Sequence, residues 1–223
     1  MTSDIREYNG LQYLIHFPEH YDEHKTYPVL LYLHGAGSRT GIQTLYNNAL
    51  IREAQKREDF PFIIIAPYCL DNSWFDLWER LKDFVKMIAA APYTDNKRLY
   101  LTGASMGGYA SWQLAMSMPE YFAAIVPICG GGMYWNAGRL VNIPVWAFHG
   151  ALDTTVLLRE SELMVDAVNH HGGSAKLTVY PENAHDAWSD TYANSELYAW
   201  LLQYENSNAV VLTDEYTDAK TYG

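Results

Sequence analysis

The sequence predicts an α/β domain, a mostly parallel central sheet with helices on both faces. Three observations predict it. Continuous apolar runs at 29–33, 62–66, 124–128 and 145–149 have the character of strands buried on both sides, which a helix-covered parallel sheet provides. Helical stretches lie between them, so strands and helices alternate along the chain. The 223 residues suffice for one such core, and no linker or internal repeat divides them. One domain is assigned to residues 1–208, with 209–223 left as a tail of unassigned structure.

The elements follow in order. Residues 11–16 alternate like an early, partly exposed strand, and 17–25 form a polar connector. His16, His20 and His24 have i, i+4 spacing that suggests a metal site. Pro18 and the strand ending at His16 break any shared helix face, so a solvated loop is expected. The run 29–33 ends in His34-Gly35-Ala36-Gly37, a place where backbone N–H groups can be offered to an anion. A helix is predicted over 44–57 and a strand over 62–66, stopped by Pro67. The loop 68–75 leads into an amphipathic helix over 77–90 that ends before Pro92. Trp78 in that helix is expected in the core, and Trp74 on the loop is a candidate for a substrate wall. Strands at 124–128 and 145–149 are separated by a short loop, 130–136, too small to fold as a lid. A helix over 155–171 closes on Gly172-Gly173. Residues 177–180 form the last strand and 187–204 the last helix. Beyond 208 only the apolar triplet 210–212 interrupts an acidic, polar tail.

Composition narrows the function. Hydrophobic residues make up 49% and charged residues 18%, as in a folded globular chain. With 15 basic and 26 acidic residues the net charge is −11, which disfavours nucleic acid and anionic membrane surfaces as partners. Cys69 and Cys129 sit in no metal-ligand spacing and are expected as reduced thiols. Residues 1–7 carry no apolar signal core and no run reaches membrane-spanning length, so the expected location is cytoplasmic.

The chemistry centres on Gly103-x-Ser105-x-Gly107. A short strand at 99–101 runs into it and a helix over 109–118 follows, the strand–turn–helix context of a nucleophile elbow. Small neighbours leave room for a strained serine, and the helix N-terminus behind it favours developing negative charge. A serine hydroxyl needs a base, and the base needs an orienting acid. Asp153 follows the strand 145–149, and His185 follows the last strand. The order Ser105, Asp153, His185 is that of the α/β-hydrolase triad, and parallel strands open their C-terminal loops on one edge. His34 and His149 are read as loop braces. Asp186 cannot readily fold back onto the neighbouring imidazole, so Asp153 is preferred as the acid. Met106 and Ala36, or a glycine beside Ala36, would supply oxyanion N–H groups.

These runs, together with 119–124, Pro127-Ile128-Cys129-Gly130-Gly131, 144–153 and His185-Asp186-x-Trp188, resemble one group of proteins. It is the compact bacterial α/β-hydrolase esterases called predicted peptidases or phospholipase/carboxylesterase-like proteins, related to dienelactone hydrolase and feruloyl esterases. The resemblance spans residues 29–202. It implies an α/β-hydrolase fold without a large lid, with Ser105 as nucleophile, Asp153 as acid, His185 as base, and Ala36 and Met106 as oxyanion donors. It implies a carboxylesterase acting on a small-molecule ester, with no cofactor or metal. Where the family usually continues the oxyanion loop with an acidic residue, this chain has Ser38-Arg39-Thr40-Gly41. Gly35, Trp74, Met133, Tyr134, Trp135 and Trp188 are the expected substrate contacts, suited to acetyl or hydroxycinnamoyl esters. A peptidase of the prolyl-oligopeptidase type and an inert binding scaffold are the alternatives.

Overall fold

The four apolar runs form the centre of an eight-stranded sheet in a computed structural model that describes residues 2–207. The tail assigned to 209–223 lies outside the described residues. The strands are β1 (Ser3–Tyr8), β2 (Leu11–His16), β3 (Tyr27–Leu33), β4 (Ile63–Pro67), β5 (Thr94–Ala104), β6 (Ala124–Ile128), β7 (Val145–Gly150) and β8 (Ala175–Tyr180). Their spatial order is β1-β2-β4-β3-β5-β6-β7-β8. β1 and β2 pair antiparallel, β2 joins β4 antiparallel, and every pairing from β4 to β8 is parallel.

Alternation along the strands divides the core into two layers. Val29, Leu31 and Leu33 of β3 face one layer with Ile63, Ile65, Leu99 and Leu101. Leu30 and Tyr32 face the other with Ile64, Ala66 and Tyr100. The first layer is covered by α2 (Trp78–Ala90), α3 (Met106–Ser117) and α4 (Leu158–His170). In α2, Leu81, Phe84, Val85 and Ile88 fall on one stripe at helical spacing and are buried. That helix stops at Ala91, which Pro92 holds extended. The second layer is covered by α1 (Ala49–Gln55), α5 (Trp188–Ala193) and α6 (Ser195–Leu201). Leu31 and Leu101 are fully buried at paired positions, so truncating either to Ala would cost about 2–5 kcal/mol.

Several boundaries differ from the sequence expectation, each for a local reason. The helix expected over 44–57 is a 3-10 turn, Ile42–Asn47, followed by α1. Asn48 divides them, because its extended backbone lets its side chain accept the Ile51 N–H at 2.8 Å. The last helix is likewise split at Asn194, whose side chain accepts the Glu196 N–H at 3.0 Å. α4 starts at Leu158 rather than 155, since the Asp153 carboxylate holds the amides of Thr155 and Val156 in a turn. The loop 130–136 contains the start of a 3-10 segment, Tyr134–Leu140. β2 is buried rather than partly exposed, because β1 pairs along its edge.

Candidate active site

The sheet brings the ends of β3, β5, β6, β7 and β8 to one edge. Leu33 pairs with Gly103, Ala104 with Ile128, Ile128 with Phe148 and Gly150 with Tyr180. Backbone bonds then zip the outgoing loops together. Ser105 N–H donates to Ile128 O at 2.9 Å, Cys129 N–H to Phe148 O at 2.9 Å, and Leu152 N–H to Asn183 O at 2.9 Å. Ser105, Asp153 and His185 all leave this edge.

Ser105 has φ 56° and ψ −117°, a left-handed conformation that a residue with a Cβ rarely adopts. The strain turns β5 directly into α3 and lifts the hydroxyl to the edge. His185 reaches it because its loop lies on Gly150, where a Cβ would stand 2.0 Å from the Ala184 carbonyl oxygen. His185 Nε2 is 2.8 Å from Ser105 Oγ, and its Nδ1 is 2.6 Å from Asp153 Oδ2. A carboxylate only accepts, so Nδ1 carries the hydrogen and Nε2 is free to take the serine proton. Asp153 is buried and its Oδ1 accepts the Thr155 and Val156 amides at 2.9 and 3.0 Å. Burial alone would favour the neutral acid. The bonds from His185, Val156 and Thr155 outweigh it and hold the carboxyl below its usual range. Asp186 is used elsewhere, accepting from Ser189 N–H and Oγ–H at the start of α5.

Two amides near this edge lie at helix starts. Met106 is the first residue of α3 and Ala36 the first of a 3-10 turn, Ala36–Ser38, so neither N–H has an intrahelical acceptor. Gly35 brings this turn close to the elbow, its hypothetical Cβ 3.4 Å from that of Ser105. His34 fixes the loop from beneath: its Nδ1–H donates to Gly35 O at 2.8 Å, while Nε2 accepts the Cys69 N–H at 3.0 Å. An imidazole that accepts an N–H must be neutral, and burial brings the pKa of His34 down to about 4. The arrangement can move a serine proton and receive an oxyanion.

The aromatic residues are distributed differently from expectation. Trp74 is fully buried, donates its Nε1–H to His34 O at 3.0 Å, and packs on the His34 ring; it braces the loop and is no substrate wall. Trp78, expected in the core, is half-buried and packs against it. With Phe75 stacked on it, it lines an apolar cleft of about 450 Å³ together with Tyr109, Gln113 and Met133. Tyr109 and Gln113 were not foreseen. They lie one and two turns beyond Ser105 on α3, a spacing that could have flagged them. Trp135 is 69% exposed and meets Tyr134 edge-on, outside the residues lining the cleft. Trp188 is half-buried and stands edge-on to the His185 ring at 5.3 Å.

The metal suspicion over His16, His20 and His24 ends differently for each. His16 is buried and bonded to Ser3 Oγ at 2.6 Å, while His20 and His24 are exposed. Among the described residues, Cys129, Asp153 and His185 hold ligand-type atoms within 4.8 Å of one another. Burial pushes the Cys129 thiol up to about 12, so it offers no thiolate at neutral pH. Among the described residues no helix is long and apolar enough to cross a membrane.

Comparison with known proteins agrees with this architecture. Residues 68–209 match the Dienelactone hydrolase family. Dipeptidyl-peptidase 5 of Porphyromonas gingivalis is 22% identical over 85% of this chain and 33% of its own length. "Probable feruloyl esterase C" of Aspergillus terreus is 25% identical over 69% of this chain and 58% of its own. The crystal structure of a thermostable esterase superposes with a TM-score of 0.79 at 30% identity, covering 92% of this chain and 63% of that one. The chain thus spans about a third to two thirds of the length of these relatives.

Proposed function

The chain belongs to the dienelactone hydrolase family, and from that premise we propose that it is a serine carboxylesterase for short-acyl or aryl esters. The observation that carries the reading is the Ser105–His185–Asp153 relay, with contacts of 2.8 and 2.6 Å. Ser105 Oγ attacks the ester carbonyl while its proton passes to His185 Nε2. The carbonyl oxygen takes the negative charge and is met by the Met106 and Ala36 amides, each worth roughly 3 kcal/mol to the barrier. Asp153 keeps Nδ1 protonated and stabilises the imidazolium. His185 then returns the proton to the leaving alcohol as the carbon–oxygen bond breaks. Water, deprotonated by His185, releases the acid from Ser105.

The cleft past Tyr109 suits a flat apolar acyl group, since Phe75, Trp78 and Met133 line it. The likeness to a dipeptidyl-peptidase keeps amide cleavage as a second reading. Turnover of p-nitrophenyl acetate, a methyl hydroxycinnamate and a dipeptide anilide separates the two. The esterase reading expects hydrolysis of both esters, little of the anilide, and a fall in rate on the order of a millionfold in Ser105→Ala. Full turnover by that variant, or anilide cleavage outrunning the esters, would overturn it.

A further inference from the structure

Asp153 has a second histidine against it. His149, the residue before Gly150 on β7, is fully buried, and its Nε2 lies 3.3 Å from Asp153 Oδ2, the oxygen that also receives His185. The same Nε2 is 2.9 Å from the Val156 carbonyl oxygen. Both neighbours only accept, so Nε2 carries a hydrogen. On the other side Nδ1 is 2.8 Å from Ser161 Oγ, and that hydroxyl is itself 2.8 Å from Gly130 O. A hydroxyl has one hydrogen, and a carbonyl can only accept it. Once Ser161 donates to Gly130, its oxygen is an acceptor toward His149, and Nδ1 carries a hydrogen too. The contrast with His34, whose Nε2 accepts an N–H, is complete.

We propose that His149 is a buried imidazolium and a positioning residue for Asp153, holding the 153–156 turn through the Val156 carbonyl and setting its charge beside the carboxylate. The inference rests on reading Ser105, His185 and Asp153 as the triad. The Asp153 carboxylate then receives two amides on Oδ1 and the His185 N–H on Oδ2, with the His149 charge 3.3 Å away, so it stays ionised although buried. The ionisable groups around the pair are few. The β8–α5 loop brings His185, β6 brings the neutral Cys129 thiol, and α4 brings Glu160, which is hydrogen-bonded to Tyr109 of α3. The two imidazoles sharing Oδ2 stand at most about 6 Å apart, nitrogen to nitrogen. A cation at that distance works against any further positive charge on the neighbouring ring.

The test has two arms. In the unmodified protein at neutral pH, nitrogen-15 spectra of the histidine rings should show one ring with hydrogens on both nitrogens. Loss of that pattern in His149→Gln assigns it, or its change in Ser161→Ala should the first variant not fold. A bare nitrogen on the His149 ring overturns the proposal. In the second arm His149→Gln keeps an N–H donor and removes the charge. The acid limb of its kcat/KM profile should move to higher pH by about one unit, with kcat lowered roughly tenfold and KM little changed. A folded variant whose acid limb stays in place overturns it as well. Full activity of Ser105→Ala would instead defeat the triad reading and leave the ring-proton count standing.

Discussion

A Cβ on Gly107 would lie 1.8 Å from the carbonyl oxygen of Leu33, so the backbone of α3 rests directly on the end of β3. That contact sets the angle at which α3 leaves the elbow and therefore where the Met106 amide points. Gly107→Ala must push helix from strand, and neither side is a flexible chain end. The expected loss is about 3 kcal/mol or more of stability, together with most of the esterase activity. Thermal unfolding and p-nitrophenyl acetate turnover measure both. Wild-type values in the variant would mean the contact is not made.

Acid should weaken the fold before its carboxylates titrate. Burial brings the pKa values of His34 and His16 down to about 4, against about 6.5 in an unfolded chain. Between those values the unfolded chain binds a proton that the folded protein refuses. Stability is therefore full above about pH 6.5 and falls as the pH drops toward 4. For His34 the loss reaches about 2 kcal/mol by pH 5. Urea unfolding of Ser105→Ala at pH 7.5 and pH 5 tests this without interference from turnover, and a constant midpoint would contradict it.

How far the sequence could be read depended on what kind of constraint each residue answers. Strands β3, β4, β6 and β7 are legible because burial on both faces demands unbroken apolar runs, and Ser105 because the elbow demands small neighbours; of β5 only 99–101 is, since Thr94–Arg98 are polar. Asp153 and His185 followed from the rule that parallel strands share an exit edge. The helix breaks at Asn48 and Asn194 were missed, since one capping side chain decides them against a strong helical background. The burial of Trp74 was also illegible. Its Nε1–H bond to His34 O, with its ring packed on the His34 ring, draws it inward, and no sequence pattern encodes that pair. The state of His149 needed three distances that no sequence pattern encodes.

The cleft should discriminate by the size of the acyl group. Trp78 and Phe75 stack with ring centroids 5.4 Å apart and form one wall, with Met133 also lining the cleft. An aromatic acyl group gains roughly 0.5–1.5 kcal/mol from an aromatic partner beyond simple burial. Trp78→Ala should therefore raise KM for hydroxycinnamate esters roughly three- to tenfold more than for acetate esters. Equal changes for both would place the acyl group elsewhere.

Thiol reagents should spare the native enzyme although a cysteine adjoins the relay. Cys129 sits at φ 47° just past β6, fully buried, and its S–H donates to the His185 carbonyl oxygen at 3.3 Å. Burial pushes the thiol up to about 12, more than the nearby amides of Ala187 and Gly150 can offset. Cys69 is also buried, with its thiol raised by burial and its S–H directed to Asp71 O at 3.5 Å. Alkylation needs both access and thiolate, and at pH 8 neither residue offers them. Iodoacetamide at pH 8 should leave activity intact for hours, while in urea both cysteines should be modified. Rapid inactivation of the folded enzyme, traced by mass to Cys129, would mean that the loop carrying His185 opens and that the relay is assembled only part of the time.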